Sequence, residues 1–271
     1  ARHERRFVVI TGVSTAILMV VPMVVLVSRS FRLGGAWSLH AWRTLGSSEV
    51  RPGVSLGVDQ LASLLTSLRF AAVAALISVT IGALASLAIT TARRHGSLLD
   101  VGLMLPLGTS AVTIGLGMLI TFDTAPFDWR ARWWLIPLGH ALVATPFVVR
   151  ALLPVLRSIP TDQRAAAATL GASPLRAWLA IDVRQIARPL VAGAGLAAAI
   201  SLGEFGATTF LTRAGRETMP IAIARLLGRA GEIPRAQGFA LAAILLVTCA
   251  LVIGAGSGMA ATTGGDRARG Q

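Results

Sequence analysis

The side chains that most often carry out chemistry are few and scattered along this sequence. Asp123 and Asp128 resemble a carboxylate pair, but they flank Pro126, which predicts a short solvated loop and not a general acid with its base. The four histidines, at positions 3, 40, 95 and 140, fall on separate segments without metal-ligand spacing. No nucleophile is paired with a base. We therefore expect no catalytic residue, no metal site and no cofactor.

Two residue types exclude further functions. All 25 basic residues are arginine, and a phosphate-binding P-loop requires a lysine, so the chain cannot itself be a Walker-type ATPase. The single cysteine, Cys249, lies in an apolar run and cannot form an internal disulfide. The net charge of +13 could suggest nucleic acid, but the arginines stand at the ends of apolar segments. We expect membrane lipid as a partner and no nucleic acid.

Long apolar runs are the elements that must position any functional residue. Hydrophobic residues make up 54% of the chain, and the mean hydropathy is +0.72. Runs long enough to cross a bilayer cover residues 7–28, 70–92, 101–122, 133–149, 190–211 and 237–260. The sequence therefore predicts an all-α, polytopic membrane protein with six transmembrane helices, the first a retained span. Pro106 and nearby glycines are expected to kink the third helix.

The connection at residues 150–189 carries clear helix signals. Thr161 is a good N-cap, the alanines at 165–168 have high helix propensity, and Gly171 stands where a glycine would close the helix. Small side chains would let this helix enter a groove on a partner protein. The alternative is that the alanines only form a good helix in a connecting loop.

A second helix is predicted directly after the glycine turn. Ser173 is its N-cap, Pro174 is its first residue, and Pro189 is expected to open the next span. An apolar stripe at i, i+3 and i+4 consists of Leu175, Trp178 and Leu179. The connection is therefore predicted to be a short helix, a glycine turn and an amphipathic helix at the membrane surface.

These residues resemble the EAA loop in permease subunits of bacterial binding-protein-dependent ABC importers. The matching residues are Ala166, Ala167, Leu170, Gly171, Ala172, Ser173, Pro174, Trp178, Ile181, Asp182, Arg188 and Pro189. In that family the loop is a cytoplasmic coupling helix that docks into a cleft on the ATPase subunit. The resemblance therefore implies an ATPase-coupling site at Ala165, Ala166, Ala167, Leu170, Gly171, Ala172, Ser173 and Pro174.

Two positions depart from the pattern of that family. The family's glutamate falls at Ala165, and its later proline falls at Arg184. Loss of the glutamate removes a possible salt bridge to the ATPase but leaves the docking fold. Counting arginines does not settle the orientation of the chain. The resemblance does, because it places the loop, and with it both termini, in the cytoplasm.

Two further stretches resemble permeases of the molybdate, sulfate, thiamine and iron types. Residues 201–208 resemble their G-E-F-G-A-T segment, and residues 218–223 resemble their T-L-P-x-A-I outer segment. The stretches 227–229 and 235–241 most resemble thiamine and ferric-iron members. Thiamine or ferric iron is therefore the favoured cargo, with a molybdate- or sulfate-type permease as the alternative. Such members are often fused twelve-span chains, so this chain could be one half of such a protein.

Glu204 is the acid that falls inside a predicted span. An acid at that depth usually faces a cavity or a partner, which predicts a pathway or gate formed with Gly203, Phe205 and Gly206. The alternative is a structural hydrogen bond between helices that the two glycines bring close together. Residues 219–228 are predicted to be a short helix, either an outer contact or an ordinary surface element.

We expect a permease subunit in the bacterial inner membrane that is not itself an enzyme. ATP would be hydrolysed on separate ABC ATPase subunits, and the other partners would be an extracytoplasmic substrate-binding protein and a second permease copy or half. Residues 1–55 would form the first helix and an outer loop, 56–260 the permease core with its coupling loop at 154–189, and 261–271 a cytoplasmic tail. A secondary transporter and a membrane scaffold without an ATPase remain alternatives.

Overall fold

The fold is built almost entirely from α-helices. The computed structural model describes residues 2–46, 49–51, 54–55, 59–92, 95–213 and 215–265. Five of the described helices are long and apolar enough to cross a membrane, and a sixth crossing results if one sharply bent helix pair counts as a single span. The predicted all-α, polytopic membrane fold is thereby confirmed.

The described elements follow one another in a simple order. The helices are α1 (Arg2–Ser30), α2 (His40–Arg43), α3 (Gln60–Thr91), α4 (Gly96–Gly108), α5 (Ala111–Thr121), α6 (Leu135–Ser158), α7 (Thr161–Thr169), α8 (Pro174–Ala177), α9 (Arg184–Gly203), α10 (Gly206–Leu211), α11 (Met219–Leu227) and α12 (Glu232–Gly265). Two antiparallel hairpins pair β1 (Arg32–Leu33) with β2 (Ala36–Trp37), and β3 (Glu49–Arg51) with β4 (Val54–Ser55). A π-helical segment, Trp178–Val183, joins α8 directly to α9.

The chain divides into two compact units. The first unit comprises residues 1–64 and 219–247, and the second comprises residues 65–218 and 248–271. In the first unit, a small core forms where α11 packs on α12; its fully buried members are Met219, Ala222, Leu226 and Leu241. In the second unit, α6 is the central helix, because one stripe of its side chains is buried against α9 and α3.

The buried stripe of α6 follows helical spacing. Ala144, Val148 and Leu152 are fully buried, and each lies four residues from the next. They pack with α9 through Ile186 and Ala197. Apolar burial adds little between helices in lipid, where close packing and interhelical hydrogen bonds drive association.

Glycines allow two short helices of the second unit to approach at the backbone. A Cβ on Gly115 of α5 would lie 2.6 Å from the Cα of Ala207, and a Cβ on Gly206 of α10 would lie 3.0 Å from the backbone nitrogen of Val112. Neither position could hold a larger residue without moving the partner helix. Close packing at Gly206 agrees with the alternative in which the glycines bring helices together. Gly203 differs, because nothing lies within 4 Å of the place its Cβ would occupy.

The third and fourth predicted spans differ from the observed helices. The third is broken: α4 and α5 meet at an angle of 98°, with Thr109 and Ser110 extended between them. The kink expected from Pro106 is confirmed, although the break falls three residues later. The fourth span was predicted to end at residue 149, but α6 continues to Ser158 with Pro154 inside it. Transmembrane helices tolerate such prolines because neighbouring groups satisfy the freed carbonyls.

The fifth and sixth spans also depart from their predicted bounds. Pro189 does not open the fifth span; it lies inside α9, which continues without interruption from the π-helical segment. The span then ends at Gly203 and not at residue 211. At the carboxyl end, α12 extends to Gly265, so part of the predicted tail is helical. Residues 266–271 of that tail lie outside the described residues.

Candidate functional site

The glycine turn of the predicted coupling loop has the expected geometry. Gly171 adopts a φ of +81°, and the N–H groups of Gly171 and Ala172 donate to the carbonyls of Ala168 and Ala167, each over 3.0 Å. These two bonds form a Schellman motif, which satisfies carbonyls left free at the end of α7. Nothing lies within 4 Å of the place where a Cβ would stand on Gly171, so the backbone conformation alone requires glycine here.

The caps of the two loop helices differ in how well they were predicted. Ser173 is the N-cap of α8, with its Oγ accepting from the N–H of Arg176 over 3.4 Å and Pro174 as the first helical residue, as predicted. The prediction for α7 was wrong by one residue. Pro160 occupies the N-cap position and Thr161 is the first residue of the helix. Pro160 has an extended backbone, with φ of −64° and ψ of 135°, and has no side-chain oxygen to accept from the first N–H groups of α7.

The outer face of the loop is apolar and exposed. Leu170 is 86% exposed, Leu175 66% and Leu179 52%. Ala165 and Ala166 on α7 are also exposed, whereas Ala167 and Ala172 are half-buried. Large exposed apolar side chains at the end of a connecting loop are typical of an interaction site. We call these exposed residues, namely Ala165, Ala166, Leu170, Leu175 and Leu179, the loop face.

Two side-chain contacts, which the sequence did not lead us to predict, hold α7 against the helix that follows. The guanidinium of Arg164 makes a bidentate contact with the carboxylate of Asp182, with Nε donating to Oδ2 over 3.2 Å. Asp182 is fully buried, and the hydrogen bond to it raises the pKa of Arg164 further. The Nε2 of Gln185 donates to the Oε1 of Gln163 over 2.9 Å. Asp182 within the apolar run W-L-A-I-D-V was the signal that could have indicated this pairing.

Glu204 lies at a break between two helices and not inside one. Its backbone is extended, with ψ of 112°, so α9 ends before it. Its side chain is 9% exposed, and its Oε1 accepts from the N–H of Ala207 over 3.0 Å. A carboxylate at this position satisfies a free N–H at the start of α10. Its negative charge is also stabilised by the positive end of that helix. Phe205 beside it is 44% exposed.

His140 of α6 joins the two sides of that break. Its Nδ1 lies 2.7 Å from Ser201 Oγ on α9, and its Nε2 lies 2.7 Å from Thr208 Oγ1 on α10. Thr208 already donates its hydroxyl proton to the carbonyl of Glu204 over 3.0 Å. A neutral ring with its proton on Nε2 therefore satisfies all three groups, by donating to Thr208 and accepting from Ser201. His140 therefore joins α6 to α9 and α10 through polar contacts.

The other candidate residues form no comparable arrangement. Asp123 pairs with Arg130 over 2.6 Å on the surface, and Asp128 is exposed. Among the described residues no group of three or more His, Cys, Asp or Glu side chains could hold a metal ion. The short helix predicted at 219–228 is confirmed as α11, with Gly228 just beyond its end.

Comparison with known proteins defines the class. Residues 86–257 match the family model described as "Binding-protein-dependent transport system inner membrane component". The match covers both the loop face and the break at Glu204. The chain belongs to this family and is a permease component of a binding-protein-dependent ABC importer.

Individual relatives agree with that class. The chain is 30% identical over 200 residues to the putative 2-aminoethylphosphonate transport system permease protein PhnV of Salmonella paratyphi A, covering 70% of this chain and 71% of the relative. It is 29% identical over 192 residues to the sulfate transport system permease protein CysT of Escherichia coli K12, covering 67% and 69%. It is 32% identical over 209 residues to the molybdenum transport system permease protein ModB of Mycobacterium tuberculosis, covering 70% and 76%.

Replacing His140 by leucine should destabilise the second unit. The substitution keeps a side chain of similar size but leaves the buried hydroxyl of Ser201 without its partner, at a cost of about 1–3 kcal/mol. Thermal unfolding of the purified protein in detergent should show a lower midpoint. His95→Leu, at an exposed turn, is the matched control and should unfold as the wild type does. Equal midpoints for His140→Leu and the wild type would show that the contact does not support the break.

Proposed function

We propose that the loop face is the surface through which an ABC ATPase subunit drives this permease. The observation that carries the proposal is the 86% exposure of Leu170 at the turn, beside exposed alanines and two exposed leucines. Small side chains on α7 leave its backbone open to close approach by a partner. The bidentate contact between Arg164 and Asp182 then links α7, and any partner bound to α7, to the long helix that begins at Pro174.

The same proposal includes the orientation of the chain in the membrane and its division into an amino-terminal segment and a permease core. If the ATPase binds the loop face, both termini lie in the cytoplasm, and the hairpin region after α1 lies outside. Residues 56–260 then form the permease core, and residues 1–55 its amino-terminal helix and outer loop. A second permease copy or half completes the path, and an external substrate-binding protein delivers the cargo. Because Ala165 has no charge, docking rests on apolar contact and not on a salt bridge at that position.

Gly171→Ala should weaken coupling to the ATPase. A non-glycine residue at a φ of +81° costs about 1 kcal/mol, and the turn that sets the angle between α7 and α8 would relax. We expect binding-protein-stimulated ATP hydrolysis by the reconstituted complex to fall several-fold. Gly171→Asn should be milder, because asparagine tolerates this conformation better.

The control for that experiment is Gly102→Ala. Gly102 lies in α4 with open space around it and without a positive φ, so alanine there should leave coupled hydrolysis unchanged. The ATPase reading fails if no ATPase subunit is retained on purification and Gly171→Ala transports as the wild type does. A transporter that works without an ATPase, or a scaffold, would give that result.

We further propose that Glu204 forms part of the pathway or gate, together with Gly203, Phe205 and Gly206. Support comes from the break itself, which leaves Gly203 with open space and Phe205 partly exposed beside a nearly buried carboxylate. Irregular backbone at membrane depth is tolerated where it is buried in protein or lines a cavity. The competing role is purely structural, because the Oε1 of Glu204 also caps α10.

Glu204→Gln separates the two roles. Glutamine keeps an oxygen that can accept from the N–H of Ala207 but removes the charge, whereas Glu204→Ala removes both. If the charge belongs to the pathway, Glu204→Gln should lower transport at least tenfold while its thermal midpoint stays near that of the wild type. Full transport by Glu204→Gln, with a loss only in Glu204→Ala, would leave Glu204 with the capping role alone.

The cargo is proposed to be a small solute of one of two kinds. The stretches at 227–229 and 235–241 resemble thiamine and ferric-iron permeases. The relatives carry the names of 2-aminoethylphosphonate, sulfate and molybdenum transporters, which supports an oxoanion as the second candidate. The external binding protein is expected to select between them.

Binding by that external protein should identify the cargo. Its thermal midpoint would be measured with thiamine, ferric iron, molybdate, sulfate and 2-aminoethylphosphonate in turn, because a ligand stabilises the protein that binds it. We expect one compound to raise the midpoint and also to stimulate ATP hydrolysis by the reconstituted permease. A compound that raises the midpoint but does not stimulate hydrolysis would show that the binding protein belongs to another transporter.

A further inference from the structure

Three arginines from three elements of the first unit line one cavity. Arg29 lies in the last turn of α1, Arg32 lies on β1, and Arg235 lies near the start of α12. The cavity has a volume of about 240 Å³, room for about eight water molecules. Glu232 is its one acidic lining residue. The lining therefore carries three positive charges and one negative charge.

The guanidinium groups are held in ways that leave their N–H edges available. Arg29 stands over the ring of Phe239 at 5.6 Å, and Arg32 stands over the ring of Trp37 at 5.2 Å. Stacking uses the flat face of the guanidinium and not its donors. Within the part of the chain that the structure describes, none of the three arginines forms an ion pair with a carboxylate. Among the described lining residues, Glu232 is therefore the acid that can offset their charge, and it is paired with none of them.

The hairpin β1–β2 is shaped to close one side of this cavity. Gly34 and Gly35 have φ of +61° and +81°, so the chain reverses within two residues and returns Trp37 beside Arg32. A Cβ on Gly34 would lie 3.3 Å from Oε2 of Glu232. The glycine turn therefore rests against the start of α12, which keeps Arg32 next to Arg235.

The chemistry of such a cavity selects a tetrahedral oxyanion. Arginine presents two parallel donors that match the oxygens of a phosphate group, and several arginines together neutralise its charge. A carboxylate partner would need fewer donors than three guanidinium groups offer. The amino-terminal end of α12 adds a positive partial charge on the same side.

The apolar surface beside the cavity indicates whether the phosphate belongs to a lipid or is a free ion. The apolar stretch of α1 has no buried residue within the fold. Val24 and Val25, in the turns before Arg29, are 59% and 44% exposed. An acyl chain could lie along this surface while its headgroup reaches the arginines at the helix end, the depth at which headgroups lie. A free phosphate ion would use the arginines but not the apolar surface. We propose that the cavity binds the phosphate of an anionic phospholipid.

Lipid retention by the purified full-length chain tests this proposal. The protein would be equilibrated with mixed phosphatidylglycerol and phosphatidylethanolamine, and bound lipid would be measured by native mass spectrometry. Wild type should retain phosphatidylglycerol in preference to phosphatidylethanolamine. Arg32→Gln and Arg235→Gln should each reduce that retention about fivefold, which corresponds to about 1 kcal/mol for each arginine near a charged membrane surface. Glu232→Gln should increase retention, because it removes the opposing charge.

Matched variants separate the cavity from general charge effects. Arg229→Gln removes the same charge at an exposed residue that does not line the cavity, and it should retain lipid as the wild type does. Arg32→Lys keeps the charge but loses the paired donors, and should retain an intermediate amount. All variants would be compared only after their thermal midpoints are shown to match that of the wild type.

Three results would overturn the proposal. One is equal retention of phosphatidylglycerol by Arg235→Gln and the wild type. Another is an equal loss in Arg229→Gln, which would show attraction by net charge alone. The third is displacement of the lipid by millimolar inorganic phosphate, which would assign the cavity to a free oxyanion. Retention that survives inorganic phosphate supports the lipid as the source.

Discussion

Every backbone N–H and C=O group at membrane depth needs a partner, and the structure of the second unit depends on how two helix breaks meet that requirement. One break separates α4 from α5 and the other separates α9 from α10. Each break interrupts the helical hydrogen bonds. In hydrocarbon, every backbone N–H or C=O group left without a partner costs several kcal/mol. At the break near Glu204, the carboxylate accepts from the N–H of Ala207 and Thr208 donates to the carbonyl of Glu204, while His140 from α6 bonds to the hydroxyl of Thr208.

The two breaks also depend on each other through close packing. Gly115 of α5 lies against Ala207 of α10, and Gly206 of α10 lies against Val112. Broken helices can approach this closely only where a side chain is absent from the contact. The irregular part of the fold is therefore closely packed where α5 meets α10. That combination suits a segment which must hold one conformation at rest and could adopt another when the helices around it move.

The sequence predicted the type of each element much better than its ends. Gly171, Ser173 and Pro174 were placed correctly because a positive φ and a helix start are local properties of the chain. The break at Glu204 was not predicted, because 190–211 is uncharged except for one acid, and His140, which bonds to both sides of the break, lies more than 60 residues away on α6. Pro189 was misjudged for a related reason: proline ends helices in water, but neighbouring helices tolerate it in a membrane. Arg164 and Asp182 were visible in the sequence, yet their pairing across 18 residues needs the fold of the loop.

The uninterrupted helix from Pro174 to Gly203 can transmit a rotation at one end to the other as a rigid rod. It comprises 30 residues and is about 45 Å long at 1.5 Å for each residue. Arg164 and Gln163 of α7 hold it at Asp182 and Gln185, and its far end stops before Glu204. Asp182 and Gln185, which these contacts hold, lie about 30 Å from Gly203 along the helix, so a tilt of about 10° there would displace the far end by about 5 Å. A small rotation of the loop would thus become a larger movement at the break near Glu204, without any local unfolding between the two.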